Sequence, residues 1–586
     1  MAAPIAPVPK PTSAVNVAAW LFGIFAAGVA AVLILRIPSD VSPWPQNYDP
    51  LGHWWLSVMV AALPVAVLLG SLGLLHMKAH FSALLGLATS ILCAIIFFGM
   101  PATLAGKTAV LGAAYGFFPI GWIILNVIFL YQLTVEAGLF KVLQDSLTGI
   151  TQDRRLQLLL IAFSFGAFFE GAAGFGTPVA VTAAVLIGLG FKPLQASGLS
   201  LIANTAPVAY GAIGTPLIAL QAVTGLNLME LSAQAGRILP FFSVLVPFWL
   251  IWAFVGFAAM LEIWPAILVA GVFFAIPQYF VSNYHGPWLV DVVAAVISMA
   301  ALTLFLLKWH PKRIWGFENE GVRQARGTHE HSRGRVARAW VPWVILSVLV
   351  FAWGLPSVKA RLDKISAPKY SLAGLDKMVQ RVPPVVRKPT PEPAVFTLNW
   401  LTATGSGILL AAVISGLVMG FTPWKLAYVY GRTLIRVRFS LLTIAAMLSI
   451  GYLTRYSGLD ATMGLAFART GVLYPFFGTL LGWLGVALTG SDTSSNVLFG
   501  SLQRISAEQV GLSPTLMAAA NSCGGVMGKM IDAQSIVVAS TATEWYGHEG
   551  DILRYVFFHS IALASLVGIM VTLQAYVFPF TRLVVK

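Results

Sequence analysis

The sequence predicts an all-α polytopic membrane protein made of inverted repeats, with two re-entrant hairpins and broken transmembrane helices. Three observations predict it. The 586-residue chain is 58% hydrophobic and 10% charged, with a mean hydropathy of +0.82, whereas a water-soluble chain carries roughly 25% charged residues. Its apolar runs reach about 20 residues, the length a helix needs to cross hydrocarbon, and the weak alternation over about 10 residues that marks an outer-membrane barrel is absent. Finally, two apolar stretches, 156–225 and 480–543, carry acids, glycines, prolines and Asn-Thr or Ser-Ser-Asn groups where a plain span has none. Backbone freed at that depth must be buried in protein or line a cavity, and an ionisable side chain there faces an aqueous path or a partner. Interrupted helices with polar tips are how secondary transporters build a substrate site near the midplane.

Charge narrows the partners. Residues 308–338 and 359–392 each hold eight basic and three acidic residues, and 425–438 hold four basic and none acidic. These loops account for the whole net charge of +14, so the charge marks membrane topology and no nucleic acid is expected. Cys93 and Cys523 lie in apolar runs and make neither a disulfide framework nor a thiolate metal site. His329 and His331 sit in a basic loop and read as solvated. The chain contains no Walker A motif, so nothing in it drives transport with ATP. The reading is a carrier and not an enzyme, with no cofactor, no metal and the lipid bilayer around it.

Along the chain, residues 1–43 read as a Pro- and Ala-rich tail followed by an additional helix over 15–35. That run is longer than the apolar core of a usual signal peptide and lacks a small-residue exit. Trp44, Trp54 and Trp55 read as an interfacial aromatic belt. Residues 44–308 form a first half: spans near 55–75, 81–104 and 117–137, an interfacial segment over 140–155, a hairpin over 156–190, a broken helix over 194–222, then spans near 238–260, 263–283 and 288–307. Residues 309–339 form a cytoplasmic basic loop. Residues 340–586 form the second half, with a span to 356, an external solvent loop over 357–399, and spans near 400–420 and 439–457 separated by an amphipathic basic stretch. A hairpin over 472–509, a broken helix over 512–543 and a final span over 553–578 complete it. With the N-terminus inside, the basic loops fall on the cytoplasmic face except the one at 359–388, and the two hairpins enter from opposite faces. Their spacing agrees: Glu170 precedes Pro193 by 23 residues, and Asp492 precedes Pro514 by 22.

The chemistry is expected at the hairpin tips. Gly171, Gly174 and Gly176 follow Glu170 and permit a tight turn with backbone N–H groups close to a ligand. Thr177 and Pro178 suit the start of a returning half-helix, whose positive end favours an anion. The second tip gathers Asp492, Ser494, Ser495 and Asn496. After each hairpin an apolar helix is expected to be interrupted, by Asn204 and Thr205 in the first half and by Asn521 and Ser522 in the second; such groups donate to a carboxylate or hydroxyl. Small residues for tight helix packing account for part of the glycine content. Substrate binding is thus assigned to Gly174, Thr177, Asn204, Thr205, Ser494, Ser495, Asn496, Asn521, Ser522 and Lys529.

Proton coupling is assigned to Glu170 and Asp492, because a buried carboxyl can bind and release a proton near neutral pH. A static hydrogen bond or salt bridge is the competing reading for each. Asp532 joins them as a third acid. Lys529 and Asp532 lie one turn apart, so Lys529 is either locked in an ion pair or free as the counter-charge for an anion. Arg455, near the end of its span, is a second candidate counter-charge or a side chain that snorkels to the interface.

Four segments carry a family resemblance: FFEGAAGFGTPVAVTAAVLIGLGFKPL from Phe168, NTAPVAYGAIGTP from Asn204, GWLGVALTGSDTSSN from Gly482 and GGVMGKMIDAQS from Gly524. They resemble the signature segments of the bacterial lactate permease family, and the likeness runs from about Trp44 to TLQAYV near the C-terminus. The resemblance implies an importer of L-lactate, and of D-lactate and glycolate, by proton symport across the bacterial inner membrane, on an ion-transporter-superfamily fold with inverted repeats. Two departures stand out: residues 1–43 precede the usual family start, and Asp532 stands where the family pattern KMIS has a small polar residue. The expected partners are therefore L-lactate and related 2-hydroxy acids, protons and lipid, with alternating access as the mechanism. A Na⁺-coupled carboxylate carrier is the alternative, and an intramembrane enzyme a more distant one.

Overall fold

Apolar runs of this length leave backbone amides in hydrocarbon no partners but each other, so the described residues are mostly helical. A computed structural model describes residues 43–585 apart from 74, 76, 149, 173, 175–176, 318–331, 355, 387 and 546–547. The additional helix expected over 15–35 and the pair His329 and His331 lie outside the described residues. Eight described helices are long and apolar enough to cross a membrane, or up to ten if each of two bent pairs is one span. The fold is the multi-pass helical one that the sequence predicts.

Two opposite faces are distinguished by what meets there. On the first, Arg432 pairs with Glu136 at 3.3 Å, and the amphipathic helix Leu139–Thr148 follows. Here the wholly buried Arg155 pairs with Asp153 (2.8 Å) and Glu262 (2.7 Å) and donates to the Arg313 carbonyl (3.0 Å). On the second face, residues 356–399 fold into a cap. The sequence reading expects a solvated loop there. Instead, a helix over Pro356–Ser366 precedes two small sheets, in which Val379–Arg381 pairs with both Trp44–Pro45 and Thr390–Pro391, and Lys369–Ser371 pairs with Val395–Thr397. Leu375, Val379, Val385 and Ala394 are buried beneath; their apolar surface is the reason the segment docks on the bundle.

One helix, Pro423–Ser457, connects the two faces. Its 35 residues span about 52 Å at 1.5 Å per residue. The basic stretch expected as a separate interfacial element is its first half, since no proline interrupts the run after Pro423. At its far end Gln46 Nε2 donates to the carbonyls of Arg455 (2.8 Å) and Tyr456 (2.9 Å), satisfying two of the four carbonyls a helix end leaves free. Gln46 and Tyr48 are therefore buried docking residues; of the three tryptophans of the expected belt, Trp44 pairs into the cap sheet, and Trp54 and Trp55 are exposed.

The hairpins enter from opposite faces, as an inverted repeat requires. The first rises through Arg154–Ala172, buried throughout its apolar length, and returns through Thr177–Gly188. Its feet rest on the first face: Asp153 Oδ2 accepts from the Trp315 amide at 3.0 Å, and the Phe191 ring stacks on Phe254 and meets Phe317 edge-on. The second descends through Tyr474–Thr489 and returns through Asp492–Val510. Its feet meet the cap side, with Gln509 Nε2 donating to the Pro384 carbonyl at 3.1 Å and the Arg469 guanidinium 3.9 Å from the Trp54 ring centre.

The helix after each hairpin is broken, but at different places. In the first half Pro193–Ala203 ends at Asn204 and resumes as Val208–Thr224 at an angle of 64°. In the second half Pro514–Gly528 runs intact through Asn521 and Ser522, against the expected interruption there. Both side chains bond sideways to neighbouring helices and leave their own backbone ladder intact. The break falls instead at 529–532, where Asp532 caps Ala533–Ala542 by accepting from the Ser535 amide at 2.7 Å.

Candidate functional site

The two tips meet across a cavity of about 180 Å³ whose lining includes Glu170, Gly174, Gly211, Asp492, Ser494 and Lys529. A larger cavity of about 380 Å³ lies at the rim of the cap, lined by Tyr48, Trp54, Pro383 and Arg469 among others. It contains neither tip, and the tip cavity is the one with converging acids and a cation.

Glu170 sits on Gly166–Ala172, one turn before the first tip. A π-helical segment, Leu159–Phe165, precedes that helix; such bulges re-aim the residues that follow and are frequent at functional sites. Glu170 Oε2 accepts from Asn204 Nδ2 at 3.1 Å, so the break in the next helix holds the acid. The other oxygen, Oε1, lies where a Cβ on Gly211 would stand only 2.6 Å away. Gly174 has φ +59, a left-handed conformation that glycine adopts without penalty, and a Cβ there would press on Ala212 at 3.1 Å. Beyond Asn204 the chain turns through Ala212 (φ 43), Ile213 (φ 57) and Gly214 (φ 76). Two consecutive non-glycine residues in that region store strain next to the cavity.

Asp492 is the first residue of the returning helix of the second hairpin, whose N-cap Ser491 accepts from the Ser494 amide at 3.3 Å. Asp492 Oδ2 accepts from Ser522 Oγ at 2.5 Å and from Asn496 Nδ2 at 3.4 Å. Its Oδ1 nests against Gly525, where any Cβ would collide with it. The plan is shared by both halves: one carboxylate oxygen held by a donor from the following helix, the other lodged against a glycine of that helix or of its continuation.

The remaining assigned residues divide. Lys529 lines the cavity, donates to the Gly490 carbonyl at 2.6 Å and pairs with Asp532 at 3.4 Å, so it is ion-paired and yet at the cavity wall. Asp532 is fully buried behind it as pair and cap. Asn496 donates to the Pro216 carbonyl at 3.2 Å, and Asn521 donates to Asn496 Oδ1 at 3.0 Å while accepting from Gln503. These two amides thus bind the second hairpin to both broken helices from behind the cavity. Ser495 donates to the Gly482 carbonyl at 3.0 Å and Thr205 to the Ile202 carbonyl at 2.9 Å, each within its own half. The Thr177 side chain lies outside the described residues. Arg455 neither lines the cavity nor snorkels: its guanidinium donates to Glu392 Oε2 and the Val223 carbonyl, both at 3.0 Å, beneath the cap. Arg381 pairs with the same Glu392. A buried arginine needs such partners, and the apolar cap that supplies them was not expected.

Sequence reasoning missed His80, Phe439 and Thr443, which complete one wall of the cavity. They come from ordinary apolar spans and carry no local signal. The rings of His80 and Phe439 stack at 4.5 Å.

The L-lactate permease family model matches residues 57–578. The glycolate permease GlcA of Escherichia coli K12 is 46% identical over 91% of this chain and 98% of its own length. The L-lactate permeases of Escherichia coli K12 and Bacillus subtilis 168 are each 44% identical over 91% of this chain, covering 98% and 99% of their own lengths. Among solved structures, the YdaH transporter of Alcanivorax borkumensis aligns over 74% of this chain and 87% of its own, at 13% identity and a TM-score of 0.31.

Proposed function

Because this chain belongs to the L-lactate permease family, we propose that it carries L-lactate, and with it D-lactate and glycolate, by proton symport across the bacterial inner membrane. The observation that carries the reading is the convergence of Glu170, Asp492 and Lys529 on one small cavity between opposed hairpin tips.

The charge count gives the coupling its physical basis. Lys529 is the cation a carboxylate substrate needs, but Asp532 already answers part of its charge. With Glu170 and Asp492 both ionised, a monoanion entering the cavity meets two like charges in a poorly solvated space. Loading either acid with a proton removes that repulsion, so proton and substrate bind better together than apart. Asn204 and Ser522, which hold the two carboxyl groups, sit on the helices that follow the hairpins. A change in protonation therefore acts on the elements whose rearrangement would expose the cavity to one face or the other.

The test is uptake of labelled L-lactate into proteoliposomes under an inward acid gradient, and under a Na⁺ gradient at fixed pH. The acid gradient is expected to drive accumulation, and Glu170→Gln and Asp492→Asn to lose that response while retaining exchange of labelled for unlabelled lactate. Accumulation driven by Na⁺ alone overturns the proton assignment, as do variants that remain fully gradient-driven.

A further inference from the structure

Behind the first hairpin lies an acid that the transport reading does not use. Asp291 stands in the first turn of Val290–Leu306 and is 1% exposed. Neither of its carboxylate oxygens has a hydrogen-bond partner among the described residues. Most buried carboxylates are held by several donors, so a wholly unpartnered one calls for an explanation.

Its surroundings point to the hairpin. Gly171, the residue after Glu170, packs directly on it: a Cβ added there would lie 2.7 Å from Asp291 Cβ and 3.0 Å from the Val292 amide. Pro287, just upstream, packs equally closely under Gly214 of the left-handed turn. The start of this helix thus backs two features of the first half, the hairpin beside its tip and the strained turn. The elements packed on it are Trp264–Tyr284, Leu159–Phe165, Gly166–Ala172 and Gly211–Thr224, and Glu170 is the one residue in them with a formal charge. The Tyr210 hydroxyl is committed to the Ser232 carbonyl at 2.7 Å, and the ring of His285, six residues upstream in sequence, stacks on Phe351 at 4.7 Å. Among the described residues of these elements no cation answers Asp291, and Glu170 is its charged neighbour.

We propose that Asp291 is a further proton-binding carboxyl of the transport cycle, beside Glu170 and Asp492, paired with Glu170 across Gly171. The proposal rests on the proton-symport reading and goes beyond it by naming a group outside the cavity. An ionised carboxylate with no donor in a dry interior is penalised far more heavily than the neutral acid. In the arrangement seen here Asp291 holds a proton. When the hairpin moves on this helix and opens it to water, the carboxyl gives that proton up to water and takes one back on return. On this proposal the two acids are coupled, hold at least one proton between them and titrate as a unit.

The experiment uses the full-length protein in proteoliposomes, with Asp291→Asn and Asp291→Ser. Lactate exchange without a gradient is expected to stay within about threefold of the parent, as for a group outside the substrate site. Accumulation under an inward acid gradient is expected to fall at least about tenfold, the smallest coupling that makes two sites titrate as a pair. An infrared difference spectrum between acid and neutral pH should also lose one carboxylic-acid carbonyl band in both variants. Variants that accumulate lactate like a gradient-driven parent overturn the role of Asp291 and leave the symport reading intact. A parent that ignores the acid gradient overturns both. An unchanged infrared band overturns the proposal even where exchange is lost.

Discussion

The two hairpins bring one acid each to the same cavity, but they hold it by different mechanical means. In the first half Glu170 lies before the tip and is held by Asn204 at a true break, beyond which Ala212 and Ile213 are wound the wrong way. In the second half Asp492 lies after the tip and is held by Ser522 from the middle of an intact helix, with Asn496, Asn521 and Gln503 linked behind it. The second site is braced by this chain of side-chain hydrogen bonds, and its break at 529–532 is locked by an ion pair and a cap. The first is strained and lightly held. The same chemical task is thus set on one rigid and one deformable support. In an alternating mechanism the deformable side is where motion costs least.

The largest effect is expected where the rigid side is unlocked. Lys529→Ala removes the cavity's cation, frees the Gly490 carbonyl and strands Asp532 in the interior. Breaking a buried pair by removing one member costs about 3–5 kcal/mol, so a clear fall in thermal midpoint should accompany loss of lactate uptake. Lys529→Ala combined with Asp532→Ser, which restores the small polar residue of the family pattern, should recover stability without recovering uptake. If the double variant transports, Lys529 serves only to neutralise Asp532.

A smaller, more discriminating effect comes from the paired glycines. Gly525→Ala places a methyl against Asp492 Oδ1 and 2.9 Å from Val486 Cγ2, inside an intact helix that cannot retreat. Overpacking of this kind costs about 1–3 kcal/mol. Gly211→Ala crowds the Glu170 side chain alone, with Oε1 at 2.6 Å and Cδ and Cγ each at 3.3 Å, beside a cavity into which that side chain can shift. Gly525→Ala should therefore lower the thermal midpoint and uptake more than Gly211→Ala does. Equal losses would remove the distinction between a rigid and a deformable half.

The same contrast explains what could be read from the sequence. The hairpins were legible because glycine, proline and an acid inside an apolar run have few other meanings in a bilayer. Asn204 was legible as a break because Pro207 follows it closely. Asn521 and Ser522 form a similar amide-hydroxyl pair, followed by Gly524 and Gly525 in place of a proline, and their side chains are spent on neighbouring helices that only the fold brings near. The cap reads in sequence as a solvated loop because Leu375, Val379, Val385 and Ala394 are spread among charged residues and show no period. Arg455 was misplaced for the same reason, since its partner Glu392 belongs to that cap. His80, Phe439 and Thr443 belong to the cavity by helix position alone. Asp291 did carry a signal, a lone acid entering an apolar span, which resembles an ordinary acidic first turn.

The finest test concerns the strained turn. Ala212 has φ 43 and ψ 51 and lines the cavity, and a left-handed conformation costs roughly 1–2 kcal/mol for an L-residue. Ala212→Gly relieves that cost but gives up a buried methyl worth about 0.8 kcal/mol and some entropy of the unfolded chain. The net change in stability should be under about 1 kcal/mol, near the limit of a thermal assay. The kinetic consequence is more telling. If the turn unwinds to expose the cavity on the other face, relieving strain in this state alone deepens its well and slows the cycle. Ala212→Gly should then show slower uptake at unchanged exchange affinity. If turnover rises instead, the left-handed turn persists through the cycle, and the moving part of the first half lies at the hairpin tip.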